Sequence, residues 1–433
     1  MLLRTKAWTK AGRSCFDRIV RRSFAGTAQN HAPKWRPATA LDEYVERPIH
    51  PMSLQQLFFF GRTLTEDRLI SSANYVRNEL PTRIAHRIRD MQKLPYAVVT
   101  NPHMSHVYEL YYKSFESFRK IPVVKTVEDN DVMCKIVGEN LKEHLTVIPR
   151  LIMGVLECQN LMPADDMDAL VNRSLRARIS RRVIAEQHLA LTDTYHSPGH
   201  SPHPSSENDF VGEVLLRCNA QDIIRGCATF AQRVCQDSTP GVRVPEITIK
   251  GHLDATFPYV LSHLEYIIGE LLRNSIQAVM TLHKDPSDQP PPPIEVLICE
   301  APKTVVIRIS DQGGGIPRDI LPYLWSFNKG PRTQQRLASF GKVPALAATM
   351  QEVKVPGGPD TFHRDSSLGQ LAMRDPKLRL GMGLPMSKVY AEYWAGALEL
   401  HSLEGYGVDA FLQISKIGNQ NEQLTSRASI DAV

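Results

Sequence analysis

The chain has 433 residues, 42% of them hydrophobic and 22% charged, with a formal net charge of +5. That composition can bury the cores of two domains, and so small a charge does not argue for nucleic acid as a partner. No apolar run is long enough to span a membrane, and the seven cysteines lie scattered without a CxxC pair, which argues against a disulfide framework or zinc site and for free thiols in a reducing compartment.

The first 26 residues carry Arg4, Lys6, Lys10, Arg13, Arg18, Arg21 and Arg22 against one acid, Asp17, with Leu2, Leu3, Trp8, Phe16, Ile19 and Val20 between them. A basic, amphipathic, acid-poor start predicts a mitochondrial transit peptide removed near Arg22–Gly26, and a matrix protein. The bland alternative is a basic tail. From Ser53 to about Leu191 the pattern is helical throughout, with helices expected at Leu54–Phe60, Thr65–Leu94 (kinked at Pro81), Pro102–Arg119, Asp129–Glu157 and Ala169–Leu191. Helices joined by short connections predict an antiparallel bundle over 40–191. Phe58-Phe59-Phe60 reads as core. His144, five residues before Pro149, is read both as a packed histidine and as a functional one.

Thr192–Asp209 is rich in Pro, Ser and His and reads as a flexible linker, although His196, His200 and His203 also permit adventitious metal binding. A second domain is expected over 210–418, with a helix at Cys218–Cys235 and a strand at Glu246–Lys250. A central helix follows in Pro258–Met280, then paired strands at Ile294–Glu300 and Lys303–Ser310, and a closing hairpin of Leu398–Ser402 with Asp409–Ser415. These predict a mixed sheet with helices on one face. The long polar segment from Ile316 to Leu380 reads as a lid, mobile over Gln351–Asp375. Residues 419–433 form a polar tail.

On the central helix, Glu270 and Asn274 stand four apart and share one face. A carboxamide oxygen can ligate Mg²⁺, and a carboxylate one turn away can orient or deprotonate a hydroxyl or water. Alone, the pair reads as an exposed polar patch. Downstream, however, Asp311 leaves a strand into Gln312-Gly313-Gly314-Gly315-Ile316, and Gly381-Met382-Gly383-Leu384-Pro385 precedes the helical run Met386–Trp394. An Asp at a strand end can accept from an exocyclic amine. Glycines permit close backbone approach, and amides at a helix start can hold phosphate.

This ordered set resembles the ATP-binding fold shared by histidine kinases, Hsp90-type chaperones, MutL and gyrase. With Glu79-Leu80-Pro81-Thr82-Arg83, Leu94-Pro95, Tyr390-Ala391-Glu392-Tyr393 and Leu403-Glu404-Gly405-Tyr406-Gly407, the chain from Ser53 to Ile417 resembles the mitochondrial 2-oxoacid dehydrogenase kinases. The resemblance implies an α+β chain, in which an antiparallel four-helix bundle precedes a two-layer α/β sandwich. It implies Mg-ATP-dependent phosphorylation, and so inactivation, of a pyruvate or branched-chain 2-oxoacid dehydrogenase on serine. Docking to the lipoyl-bearing core of that complex, and a homodimer, are implied as well. Glu270 would act on the acceptor serine, and His144 would lie near the nucleotide. Asn274 would ligate Mg²⁺. Arg273, Ala278, Asp311, Gly313, Gly315, Ile316, Lys329, Gly381, Met382, Gly383 and Leu384 would surround ATP, with Arg273 and Lys329 as phosphate contacts.

Three departures qualify the match. Tyr266 stands where pyruvate-directed members often have His; with His188-Leu189-Ala190-Leu191 and Gly251-His252…Phe257-Pro258 it leans towards the branched-chain relative. Val408 replaces a hairpin Thr, leaving more of the adenine recognition to Asp311. The tail lacks an Asp-Trp ending, so tail exchange in a dimer is not expected. Two rivals remain. One is a protein-histidine kinase that phosphorylates its own His144, although Leu145 stands where an acid usually follows. The other is a nucleotide-sensing scaffold without kinase activity.

Overall fold

The computed structural model describes residues 38–61, 63–197, 210–284, 289–331, 333–342 and 381–418. The expected transit segment, residues 198–209 of the linker, the span 351–375, the tail 419–433 and the side chains of Phe58–Phe60 lie outside what is described. By contact the chain divides into Met1–Glu43 and Tyr44–Val433; the first described helix spans that boundary, and every later element belongs to the second unit.

Helices come first: α1 (Ala38–Glu46), α2 (Leu54–Gly61), α3 (Glu66–Gln92), α4 (Tyr96–Val99), α5 (Pro102–Arg119), α6 (Val127–Glu143), α7 (Val147–Glu157) and α8 (Ala164–His196). Their starts follow capping chemistry. The Thr65 hydroxyl accepts from the Arg68 N–H, and the Asn101 side chain accepts from two N–H groups with Pro102 in the first turn. Thr126 and Asp129 cap each other reciprocally. α3 continues through Pro81. It packs on α5 and α8, while α5 packs on α7 and α6 on α3, α5 and α8.

Two helices differ from expectation. The run 129–157 is broken by a 3₁₀ turn at His144–Thr146. Pro149 lacks an N–H for the Leu145 carbonyl and its ring crowds that oxygen, so the helix restarts rather than continuing. α8 runs past Leu191 to His196, into the expected linker. Polar contacts hold the extension: Thr192 bonds to the His188 carbonyl and accepts from Asn130, and His196 pairs with Asp131 at 2.9 Å.

A three-stranded antiparallel sheet follows, ordered β1 (Phe210–Val211), β2 (Val214–Asn219) and β4 (Thr256–Val260). It was not expected. Cys218, read as the start of a helix, belongs to β2; Asn219 caps the helix that begins at Ala220, α9 (Ala220–Ser238). β2 carries a register irregularity between Leu215 and Cys218, which breaks the two-residue alternation that marks a strand. Its partner β4 is the apolar stretch that the sequence merges with the next helix, α10 (Leu261–Leu282).

The main sheet has five strands in the order β3 (Ile247–Gly251), β5 (Ile294–Glu300), β6 (Thr304–Asp311), β8 (Gly407–Ser415) and β7 (Ala397–Leu403). β3 pairs parallel to β5 and the other pairs are antiparallel, so the sheet is mixed and the chain is α+β. On β6 the buried residues are Val305, Ile307, Ile309 and Asp311, every second position, and α10 packs on this strand. Asp311 is thus the last residue of an inward-facing row. α10 also packs on α9 and on α12 (Gly383–Tyr393). Residues 316–342, expected without regular structure, hold a 3₁₀ turn at Leu321–Tyr323 and α11 (Thr333–Lys342).

The motif around Pro81 has a structural reading. Glu79 is buried and accepts from Arg83 Nε at 2.9 Å, while His50 Nδ1 lies 2.6 Å from its other oxygen. Glu79→Ala leaves the Arg83 guanidinium buried without its carboxylate and is expected to destabilise the fold by about 3–5 kcal/mol. Lys113→Ala, which removes an exposed pair with Glu143, is expected to shift stability far less. Urea midpoints for the two variants check the contrast.

Candidate functional site

α10 and α12 run antiparallel where they touch. His263 meets Tyr390 with ring centroids 4.7 Å apart, Tyr266 meets Tyr390 at 5.5 Å, and the Tyr266 hydroxyl lies 3.7 Å from Met386 Sδ. Behind them, Trp394 Nε1 donates to His263 Nδ1 at 2.9 Å. Each turn onward along α10 is therefore a turn back along α12. At 1.5 Å per residue on both helices, Glu270 comes level with the first turn of α12, around Met382–Leu384, and Asn274 falls one turn further, just beyond the start of that helix. Among the described residues no side chain caps that end, so its first N–H groups and the positive end of its dipole suit an anion.

Glu270 and Asn274 are not the exposed pair that their spacing alone suggests. Glu270 is fully buried and forms an ion pair with Arg273, itself buried, whereas Asn274 is half-buried. Arg273, expected as a phosphate contact, is held by Glu270. Lys329, the other expected contact, pairs with Asp165 in the first turn of α8.

Asp311 lies close by. Its Oδ2 accepts from Ser275 Oγ at 2.7 Å, and its Oδ1 accepts from the Gly313 N–H at 3.0 Å. Burial raises its pKa, and the bonds from Ser275 and Gly313 oppose that rise. Ser275 follows Asn274 directly, so one hydrogen bond joins the end of β6 to the Glu270–Asn274 turn of α10. Sequence reasoning missed Ser275, whose partner is 36 positions away.

The loop after Asp311 is pressed between α10 and the β7–β8 hairpin. A Cβ on Gly313 would lie 2.4 Å from Ala278 Cβ, and one on Gly407 would lie 1.9 Å from the Asp311 carbonyl. Gly315 has φ +73 and would place a Cβ 2.3 Å from the Leu403 carbonyl. The Ile316 N–H donates to Ser402 Oγ at 2.7 Å. Ala278, Asp311, Gly313, Gly315 and Ile316 thus form one narrow backbone cradle beside Asn274.

The described contacts of His144 are with α5 and the arginines of α8. It is buried in the 3₁₀ turn, with Nε2 2.7 Å from Ser114 Oγ and 3.4 Å from the Leu110 carbonyl, both on α5. Burial, and then the charge of Arg181, push its pKa down to about 3. His263 is pushed down to about 3 by burial and by Arg182 and Arg178.

Comparison with known proteins agrees with this geometry. Residues 51–215 match a family described as mitochondrial branched-chain alpha-ketoacid dehydrogenase kinase, and residues 260–416 match the histidine kinase-, DNA gyrase B- and HSP90-like ATPases. Pyruvate dehydrogenase (acetyl-transferring) kinase 2, mitochondrial, of Saccharomyces cerevisiae is 34% identical over 89% of this chain and 85% of its own. The chain belongs to the mitochondrial 2-oxoacid dehydrogenase kinase family. It is a protein kinase that uses ATP. The mitochondrial pyruvate dehydrogenase kinase of Arabidopsis thaliana is 30% identical over 86% of this chain and 92% of its own. Isozyme 3 of Mus musculus is 26% identical over 88% and 84%.

Against the shared ATPase fold, the residues of this kinase fit its nucleotide. The narrow glycine cradle runs on from Asp311, Asn274 lies just beyond the start of α12, and a carboxamide oxygen suits a hard cation.

Two of the buried histidines, His144 and His263, predict a pH response, and burial lowers the pKa of His188 in the same direction. Both are neutral in the fold, with pKa values below the unfolded value of about 6.5, so between pH 6.5 and 3 the unfolded chain binds more protons and stability falls as pH falls. Glu213 and Glu265, pushed up to about 7 by burial, give the opposite slope. The histidine share is therefore read as a difference. His144→Gln and His263→Gln should each lose less thermal midpoint than the parent between pH 6.5 and 5.

Proposed function

We propose that this kinase transfers the γ-phosphoryl group of Mg-ATP to a serine of a mitochondrial 2-oxoacid dehydrogenase, inactivating it. The observation that carries the reading is the antiparallel contact of α10 with α12, which brings Glu270 level with the start of the phosphate helix and Asn274 just beyond it. Asn274 would hold Mg²⁺ through its carboxamide oxygen, and the ion would neutralise charge on the phosphates. Asp311, fixed by Ser275 and Gly313, accepts from the adenine amine. The Gly313–Ile316 backbone and Ala278 enclose the base, and the Gly381–Leu384 amides meet the phosphates. Glu270 orients the acceptor hydroxyl, its own carboxylate held by Arg273. Phosphoryl transfer depends mainly on positioning and charge neutralisation, so a strong base is not required.

Among substrates we favour pyruvate dehydrogenase, because the relatives matched over nearly the whole chain are named for it. Tyr266 and the family match over 51–215 favour the branched-chain enzyme as a second reading. The acid-poor start supports import and cleavage near Arg22–Gly26 and a matrix location, which the N-terminus of the mature protein checks. The helices packed around α3, α5, α6 and α8 support a four-helix bundle as the dock for the lipoyl-bearing core. β7, an edge strand, is available for a homodimer.

Asn274→Ala should weaken Mg-ATP binding and abolish transfer together. Asp311→Ala should weaken ATP binding about ten- to a hundredfold, the usual loss for one charge-assisted bond. Glu270→Gln should bind ATP near normally and slow transfer by about 10²–10⁴-fold. Calorimetry and single-turnover phosphorylation separate these outcomes, and transfer at the parent rate by Glu270→Gln removes its catalytic role. Labelled ATP with each purified dehydrogenase complex decides the substrate: label should enter serine of the pyruvate enzyme, and label in the branched-chain enzyme alone selects the second reading.

A further inference from the structure

Arg336, on α11, is buried, and its Nη2 donates to two carbonyls: Phe327 at 3.0 Å and Gly381 at 2.9 Å. These carbonyls lie on opposite sides of a long stretch of sequence. Phe327 precedes α11, and Gly381 opens the glycine turn that leads into α12. Phe327 is fixed in its turn from the helical half. Asp168 of α8 accepts from the Phe327 N–H at 2.8 Å, the Asn328 N–H at 3.1 Å and Ser326 Oγ at 2.5 Å. Asp168 is also the negative charge that acts on Arg336. A continuous polar path thus runs from α8 through Asp168, Phe327 and Arg336 to Gly381.

We infer that Arg336 is a positioning residue for nucleotide binding, holding the Gly381 carbonyl so that the amides at the start of α12 face the phosphates. Two backbone carbonyls that converge repel each other unless a cation or donor sits between them, and a guanidinium supplies a planar set of donors with a charge that burial does not remove. Gly381 has φ +66, and a Cβ there would lie 2.4 Å from Arg336 Nε, so the turn is shaped around this side chain. Asp168 acts through Arg336 twice over: it anchors Phe327 and it balances the buried charge. The inference rests on the reading of Gly381–Leu384 as the phosphate turn.

The test is Mg-ATP affinity by calorimetry, on the full chain without acceptor, for Arg336→Met, Arg336→Lys and Arg336→Ala. Arg336→Met should bind about ten- to a hundredfold more weakly, the loss expected for charge-assisted bonds. Arg336→Lys, able to keep one carbonyl, should recover part of this. Millimolar methylguanidinium should restore part of the affinity of Arg336→Ala and leave the parent unchanged. Asp168→Asn should weaken binding in the parent and add little in the Arg336→Met background. KM for the dehydrogenase should not move. Parent-like affinity in Arg336→Met overturns the inference. So does a loss that neither lysine nor methylguanidinium relieves, which assigns Arg336 a packing role; if Arg336→Met does not fold, the lysine and methylguanidinium arms decide. Asn274→Ala run alongside separates the two levels: normal affinity there sinks the site reading itself, whatever Arg336 does.

Discussion

Polar groups along α8 have to be satisfied, and several of their partners come from the other half of the chain. Arg176, almost fully buried, pairs with Glu392 of α12. Arg178 lies against Tyr390, and it and Arg182 face His263. Asp168 collects three donors from 326–328. A buried ion is costly unless paired, so these contacts fix where α12 and the 326–328 loop lie. Since α12 in turn sets the depth of α10, the position of Asn274 relative to the Gly381–Leu384 turn is settled partly by a helix, α8, that contributes no residue to the proposed site.

The same arrangement explains the uneven burial of the α10 polar face. His263, Tyr266 and Glu270 point at α12, and all three are buried. Asn274 lies beyond the end of α12 and is half-buried. One spacing rule, three or four residues per step, therefore yields an enclosed carboxylate and a half-buried carboxamide on a single helix. The difference between them is the length of the neighbouring helix.

Much of this was legible in the sequence where the signal is local. β5 and α5 fall on their expected residues, the β6 row ends at Asp311 as its alternation requires, and the glycine clusters mark real close approaches. Other features depend on partners far away in the chain. β1 and β2 escaped notice because β2 is irregular and β4 is apolar enough to read as the start of α10. The burial of Glu270 and the Arg336–Gly381 contact arise only once the second half packs on itself, and the bonds of Asp168 to residues 158 to 160 positions away only once the halves meet. A single sequence holds no period or motif for such contacts, and nothing local singles out Asp168 or Arg336.

The ion pair of Arg176 with Glu392 also bears on how portable the ATP-binding half is. Cut free at residue 210, that half would leave Glu392 without its arginine, the 326–328 amides without Asp168, and the Val211 carbonyl without the Gln187 amide that donates to it at 3.1 Å. Relatives of the same superfamily carry this fold on many different chains, yet here its surface is tailored to one companion. In this kinase, grafting the nucleotide half onto another protein means grafting the face of α8 with it.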